Sequence, residues 1–239
     1  MEIYGAFSRQ TRPIREVDMA KPVITKECVV PLLDTKYIKV ADLQYEPGRH
    51  YFDATRHNFD ALTATLTDEE FRSMRADAVT CIVIIQCPHE EPRLLLQYEY
   101  RYPVGRFLLS PPAGLMDAAD LAADNPEVIA AAREIFEETG VRPGPDDPLT
   151  VVNPGLFSSP GMTDESNAMV CAVIHLNDLS QLNHNGAEGT ECFGDFVLLT
   201  PAQAMEIYKS GRDEFGNTYS VYTWAALSHF LLMSREKLA

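Results

Sequence analysis

The order of strand-like and helix-like segments predicts an α/β protein in which layers of helix enclose a mixed β-sheet. Three observations carry this. Apolar runs of strand length stand on both sides of one central helix. That helix has clear ends, with Asp124-Asn125-Pro126 as cap and first-turn proline and Gly140 as the stop. Further helical segments come late, after residue 200.

Residues 1–22 are polar and broken by Pro13 and Pro22, so a loosely held arm is expected there. Short β-type runs follow between Val23 and Asp60. Cys28–Leu33 and Tyr37–Leu43 are separated by Asp34-Thr35, and Tyr45–Phe52 contains the turn Pro47-Gly48. These runs predict a small antiparallel unit. Thr67-Asp68-Glu69-Glu70 opens a short helix with a capping box. Ala78–Cys87 is a nearly unbroken apolar strand and Arg93–Tyr100 a second, joined through Pro88–Pro92. Phe107–Leu109 forms a short strand before a Pro-Pro loop. After the central helix, strands are expected at Leu149–Val152, Gly155–Phe157, Ala168–Leu176 and Phe193–Leu199. Helices over Pro201–Lys209 and Tyr222–Met233 close the chain, with the single tryptophan, Trp224, expected in the core.

The chemistry concentrates in the central helix. Arg133-Glu134-Ile135-Phe136-Glu137-Glu138-Thr139-Gly140-Val141 places three carboxylates within five residues. At about 100° per residue, Glu134, Glu137 and Glu138 share an arc of about 100°, with Val128, Ala132 and Ile135 expected opposite. Charged helix faces are usually only solvated. Here the well-marked ends and the loop just upstream, Pro111-Pro112-Ala113-Gly114-Leu115-Met116-Asp117, favour a ligand site. Small residues let a backbone approach a ligand closely, and clustered carboxylates suit hard divalent cations.

These residues resemble the Nudix hydrolase signature: Gly, five residues, Glu, seven residues, then Arg-Glu-apolar-x-Glu-Glu-x-Gly-apolar. The second half matches at every specified position from Arg133 to Val141. The resemblance is closest to the subgroup acting on ADP-ribose and nucleotide sugars, through Glu99-Tyr100-Arg101, Pro112-Ala113-Gly114 and Ser159-Pro160-Gly161-Met162-Thr163-Asp164-Glu165. It covers residues 76 to about 205. There are departures. Gly114 and Arg133 stand 19 positions apart where the pattern has 14, so five residues are inserted, and the first signature Glu falls on Asp120 or Asn125 according to the direction of counting. Ser110 replaces the acid usual before Pro-Ala-Gly, and Glu99 replaces a usual Gln.

The resemblance implies an α/β/α sandwich with a mixed sheet, divided into an arm and small β unit (1–75) and a Nudix hydrolase domain (76–239). It implies Mg²⁺ or Mn²⁺ held by Glu134 and Glu138, with help from Glu137 and the carbonyl of Ala113. Gly114, Arg133 and Gly140 would be structural within the motif. A late acid from a distant loop would act as ligand or base, Glu191 ahead of Glu188. Arg101 and Glu165 are candidates for substrate binding, and for Arg101 an ordinary surface role weighs equally. The implied substrate is a nucleoside diphosphate linked to a sugar or related group, and the implied assembly a homodimer built with the N-terminal β unit. Two alternatives stay open: a non-catalytic ligand sensor of the same fold, and a hydrolase of nucleoside triphosphates or capped RNA.

A net charge of −15, from 20 basic and 35 acidic residues, disfavours nucleic acid or an anionic membrane as partner. Five cysteines without a Cys-x-x-Cys pair, and an N-terminus with Glu2, Arg9, Arg12 and Arg15 but no apolar core, predict a cytoplasmic protein. No apolar run is long enough to span a bilayer. Tyr37, Tyr45, Tyr51 and Phe52 could stack a base, although packing is their commoner role.

Overall fold

Antiparallel pairing begins as soon as the β-type runs do. In the computed structural model, which describes residues 22–187 and 189–236, β1 (Val29–Asp34), β2 (Lys39–Glu46) and β3 (Arg49–Thr55) form a three-stranded sheet in that order. The expected arm and Glu188 therefore lie outside the described residues, apart from Pro22 at the arm's end. Gly48 turns the β2–β3 hairpin with φ 72°, a left-handed conformation that glycine adopts without steric cost. One face of this sheet buries Ala41 and Leu43 against Leu62. Leu32, Leu33, Ile38, Tyr51 and Phe52 stay exposed. Helix α1 (Asp68–Ser73) starts at the expected capping box: Glu70 N–H donates to Thr67 Oγ1 at 3.2 Å, and Thr67 N–H donates to Glu70 Oε2 at 2.8 Å.

The main sheet holds seven strands: β4 (Ala78–Gln86), β5 (Arg93–Arg101), β6 (Arg106–Ser110), β7 (Ala113–Leu115), β8 (Leu149–Phe157), β9 (Ser166–His175) and β10 (Phe193–Leu199). Its order is β10-β5-β4-β9-β8, with β6 on β5 and β7 on β4. The sheet is mixed because β4 and β9 run parallel while their other pairings are antiparallel. Both central strands are buried on both faces, which is why their sequences read as continuous apolar runs.

Each face of the sheet carries a helix layer. Helix α3 (Pro126–Thr139) packs Ala130, Ala131 and Ile135 against Val79, Cys81, Val83, Leu95 and Val170. On the other face, α4 (Pro201–Ser210) and α5 (Val221–Glu236) pack Ala204, Ala226, Leu227 and Phe230 against Ile82, Ile84, Leu94 and Leu96. The expected sandwich and small antiparallel sheet are thus both present.

The differences have local causes. The inserted loop contains a short helix, α2 (Ala118–Leu121), capped by Asp117, whose Oδ1 accepts from Ala119 N–H at 2.7 Å and Asp120 N–H at 2.8 Å. The two strands expected on either side of Pro154 are one strand, β8, whose pairing slips on both sides of Asn153. Trp224 is 48% exposed and stacks on Tyr208, because the sheet-facing side of α5 is taken by Ala226, Leu227, Phe230 and Leu231.

Candidate active site

Helix α3 brings its carboxylates inward. Pro126 opens the first turn and Gly140 closes the last with φ 73°. Asn125 sits at the N-cap, but its side chain makes no capping bond. The expected apolar face needs a correction. The sheet-facing residues are Ala130, Ala131 and Ile135, with Val128 and Ala132 only half-buried. Glu134 and Glu138 flank Ile135 and are themselves buried, at 6% and 3% exposure. Glu137 remains partly exposed.

Each buried carboxylate has specific neighbours. Glu138 Oε1 accepts from the Ala113 N–H at 3.2 Å, and Glu138 Oε2 accepts a short bond from the Gln97 amide. Gln97 has no exposed surface, and its Oε1 has no hydrogen-bond partner. Glu134 lies against Gly114 so tightly that a Cβ at that position would coincide with its carboxylate. The φ of Gly114 is ordinary, so what the glycine provides there is space for the Glu134 carboxylate.

Arg133 ties the loop to the helix. Its guanidinium donates to Glu134 Oε1 at 2.7 Å, Glu137 Oε2 at 2.9 Å, Asp120 Oδ2 at 2.7 Å and Leu115 O at 2.9 Å. Asp120, one of the two positions onto which the first signature acid falls, is buried by this contact and acts as an anchor for Arg133. Arg133 is half-buried; burial works against its charge, but Asp120, Glu134 and Glu137 outweigh that and raise its pKa.

Burial raises Glu134 to about 7; Arg133 pulls it down, while Glu137 and Glu191 push it up. Burial also raises Glu138 well above the usual carboxylate range, against the Ala113 N–H, with Glu99 and Glu134 adding to the rise. Among the described residues no three His, Cys, Asp or Glu side chains already converge as ligands. The donor set nevertheless fits a hard cation: its members are oxygens, Glu134 shares the one Arg133 with Glu137 and Asp120, Glu138 bonds neutral groups, and the Gln97 oxygen has no partner.

The remaining candidates divide by location. Arg101 pairs with Glu99 at 2.5 Å, so its charge is already engaged. Glu165 lies on the Ser159–Glu165 loop and pairs with Arg56, just past the end of β3. The same loop is held by Tyr51, which donates to Gly161 O at 2.8 Å, and by Ala54, whose N–H donates to Met162 O at 2.9 Å. Glu191 enters the site region through the loop before β10, where its charge acts on both Glu134 and Glu99.

That loop is docked on the end of α3 by contacts the sequence reading did not include. Asn183 N–H donates to Thr139 O at 2.9 Å. His184 lies with Nδ1 2.7 Å from Glu138 O and Nε2 2.9 Å from Gly194 O, stacked on Phe193 and Phe196. Gln97 was also missed, although strand alternation held the signal. Leu95 packs on the α3 face, so Gln97 and Glu99 follow it there.

Comparisons with known proteins bear on the family and the fold. The Nudix domain family matches residues 74–216. An uncharacterized Nudix hydrolase of Schizosaccharomyces pombe is 33% identical over 154 residues, which is 64% of this chain and 70% of that protein. The ADP-sugar pyrophosphatase of Mus musculus is 25% identical over 190 residues, 80% of this chain and 78% of its own. Among solved structures, an ADP compounds hydrolase is similar with a TM-score of 0.51 and 20% identity, covering 87% of this chain and 91% of that one; the likeness is one of fold. With the signature helix, the glycine that admits Glu134 and the matched domain in agreement, the chain belongs to the Nudix hydrolase family.

Proposed function

We propose that this protein hydrolyses the diphosphate bond of a nucleoside diphosphate linked to a sugar or related group, of ADP-ribose or ADP-sugar type, with Mg²⁺ or Mn²⁺. The observation that carries the reading is the pair of buried carboxylates, Glu134 and Glu138, enclosed by Gly114, Ala113 and Gln97. The similarity to the mouse ADP-sugar pyrophosphatase supports the substrate class.

In this reading Glu134 and Glu138 hold the cation, helped by Glu137 and the carbonyl of Ala113. When bound, the cation neutralises the diphosphate oxygens, whose charge otherwise repels a nucleophile. Arg133 fixes the rotamers of Glu134 and Glu137 and ties them to Leu115. Glu191 takes the proton of the attacking water. A P–O bond to that water forms, the P–O–P bridge breaks, and a nucleoside monophosphate and a sugar phosphate leave. Glu165 shapes the sugar end of the pocket from the loop that β3 holds.

The chain is read as two parts, with the boundary near residue 75. A second copy covers the N-terminal sheet, whose exposed Leu32, Leu33, Ile38 and Phe52 supply an apolar face for a homodimer. Five free cysteines fit a cytoplasmic location.

The test is a substrate panel with product identification. Release of AMP from ADP-ribose or an ADP-sugar, dependent on Mg²⁺ or Mn²⁺ and abolished by excess chelator, is expected. Full turnover in chelator, or turnover confined to nucleoside triphosphates or capped RNA, would overturn the reading.

A further inference from the structure

A fourth carboxylate lies beside the helix cluster on a different element. Leu95, Gln97, Glu99 and Arg101 alternate along one face of β5, the face that packs toward α3. Gln97 marks where that face meets the site, because its amide bonds Glu138 directly. Glu99 is the next side chain along, about 6.7 Å further at the rise of a strand. It is opposite Phe193 in the β10 pairing, and Tyr100 N–H donates to Cys192 O at 2.9 Å, which sets Glu99 next to the segment carrying Glu191. Glu99 is therefore bracketed by Glu138 on one side and Glu191 on the other.

A surface carboxylate would need no further account, but Glu99 is half-buried, with only 15% of its side chain exposed. Among the described residues Arg101 is the one cation paired with it, and that arginine is 44% exposed. Next to Glu99, the Gln97 Oε1 is wholly buried with no donor. A buried oxygen without a donor, on a side chain whose amide nitrogen already bonds Glu138, is a place for a cation or its water rather than for another anion. The charges are close enough to act on one another: Glu99 contributes to the rise of Glu138, and Glu191 to that of Glu99.

We propose that Glu99 is a further carboxylate of the metal centre, supplied by β5 rather than by the signature helix, with Arg101 as the counter-charge that holds it until the cation arrives. This rests on the metal-site reading given above for Glu134 and Glu138. The alternative is a plain structural ion pair between Glu99 and Arg101, and charge reversal of the effect separates the two.

The experiment measures Mn²⁺ affinity of the full chain by electron paramagnetic resonance of the free ion, without substrate. It uses Glu99→Gln, Arg101→Gln and, as reference, Glu138→Gln, each with its thermal midpoint in chelator. Glu99→Gln is expected to weaken Mn²⁺ binding by roughly 10- to 100-fold, the range seen when groups around a metal site are removed. Arg101→Gln is expected to leave Mn²⁺ binding unchanged or to tighten it, since it deletes a competing cation. Equal losses in both variants would make the pair a structural brace and overturn the proposal. Unchanged affinity in Glu99→Gln beside a weakened Glu138→Gln would overturn it too, and leave the metal-site reading standing. Unchanged affinity in both glutamate variants would overturn the two together.

Discussion

Replacing Gly114 by alanine adds one methyl group at the tightest point of the site. That methyl would land on the Glu134 carboxylate. Non-bonded heavy atoms settle at about 3.5 Å, so the carboxylate must withdraw by more than about 1 Å. The Gly114 backbone is fixed by its place in β7, paired with Val79 of the buried β4, and cannot yield instead. Withdrawal breaks the 2.7 Å bond from Arg133 to Glu134 and pushes the side chain off its rotamer, at a cost of about 1 kcal/mol. Stability should therefore fall only slightly. A displacement of about 1 Å in a catalytic group costs on the order of 100-fold in rate, so turnover of ADP-ribose should fall by about that factor. The assay pairs AMP release at saturating Mn²⁺ with a thermal melt. Gly155→Ala is the control, because a Cβ there meets nothing within 4 Å. Wild-type turnover in Gly114→Ala would mean that Glu134 has no part in the chemistry.

Glu138→Gln preserves shape and can still bond Gln97, so it should fold normally, while turnover drops by about 100-fold or more; Asp120→Asn and Asn125→Ala should do far less, and steady-state rates with circular dichroism check all three. Gly186→Ala should lift the late loop, since its Cβ would meet the Glu137 backbone carbonyl and Cα, which cannot move; faster amide exchange at Asn183 and His184, with lower turnover, is the expected signature. Asp53 tests the joint between the two sheets. Burial, and then the Asp164 charge, raise it from 3.8 to about 6. A raised carboxyl favours folding below its unfolded pKa and loses that benefit as pH climbs through 6. Asp53→Asn should therefore stabilise the protein at pH 8 by up to about 3 kcal/mol, about 2 pKa units at about 1.4 kcal/mol each, and by almost nothing at pH 4. Thermal melts at the two pH values decide it, and a pH-independent increment would show that Asp53 is not the titrating group.

What the sequence disclosed follows from where each element gets its stability. Strands β4 and β9 were legible because they are buried on both faces, so their apolar runs are unbroken. Helix α3 was legible from Pro126 and Gly140, which act locally. Helix α2 and strand β7 were not, because three or four residues gain their order from distant partners: Arg133 for Asp120, and Val79 for Gly114. Pro154 read as a break between strands, yet the ladder slips around Asn153 and continues. In the site, the carboxylates of α3 could be grouped from their spacing and the inserted loop could be counted, but the burial of Glu134 and Glu138 on either side of Ile135 could not be read. The bond from Gln97 to Glu138 spans 41 positions and joins a strand to a helix. Alternation along β5 constrains which face Gln97 takes, but no local pattern names its partner. The docking of His184 under Glu138 is of the same kind.

The parallel pairing of β4 with β9 has a bearing on how the chain reaches this state. Ala78 meets Asn167 and Gln86 meets His175, so each contact joins residues 89 positions apart. Closing a loop of that length costs about 4 kcal/mol beyond a constant term, and contacts between distant residues slow folding. The whole of α3 lies inside that loop. The groups that enclose Glu134 and Glu138, namely Gly114, Ala113 and Gln97, lie inside it too, so the carboxylate site is assembled within the segment that the central pair closes off. A cation that bound the finished site would stabilise that enclosed segment by mass action.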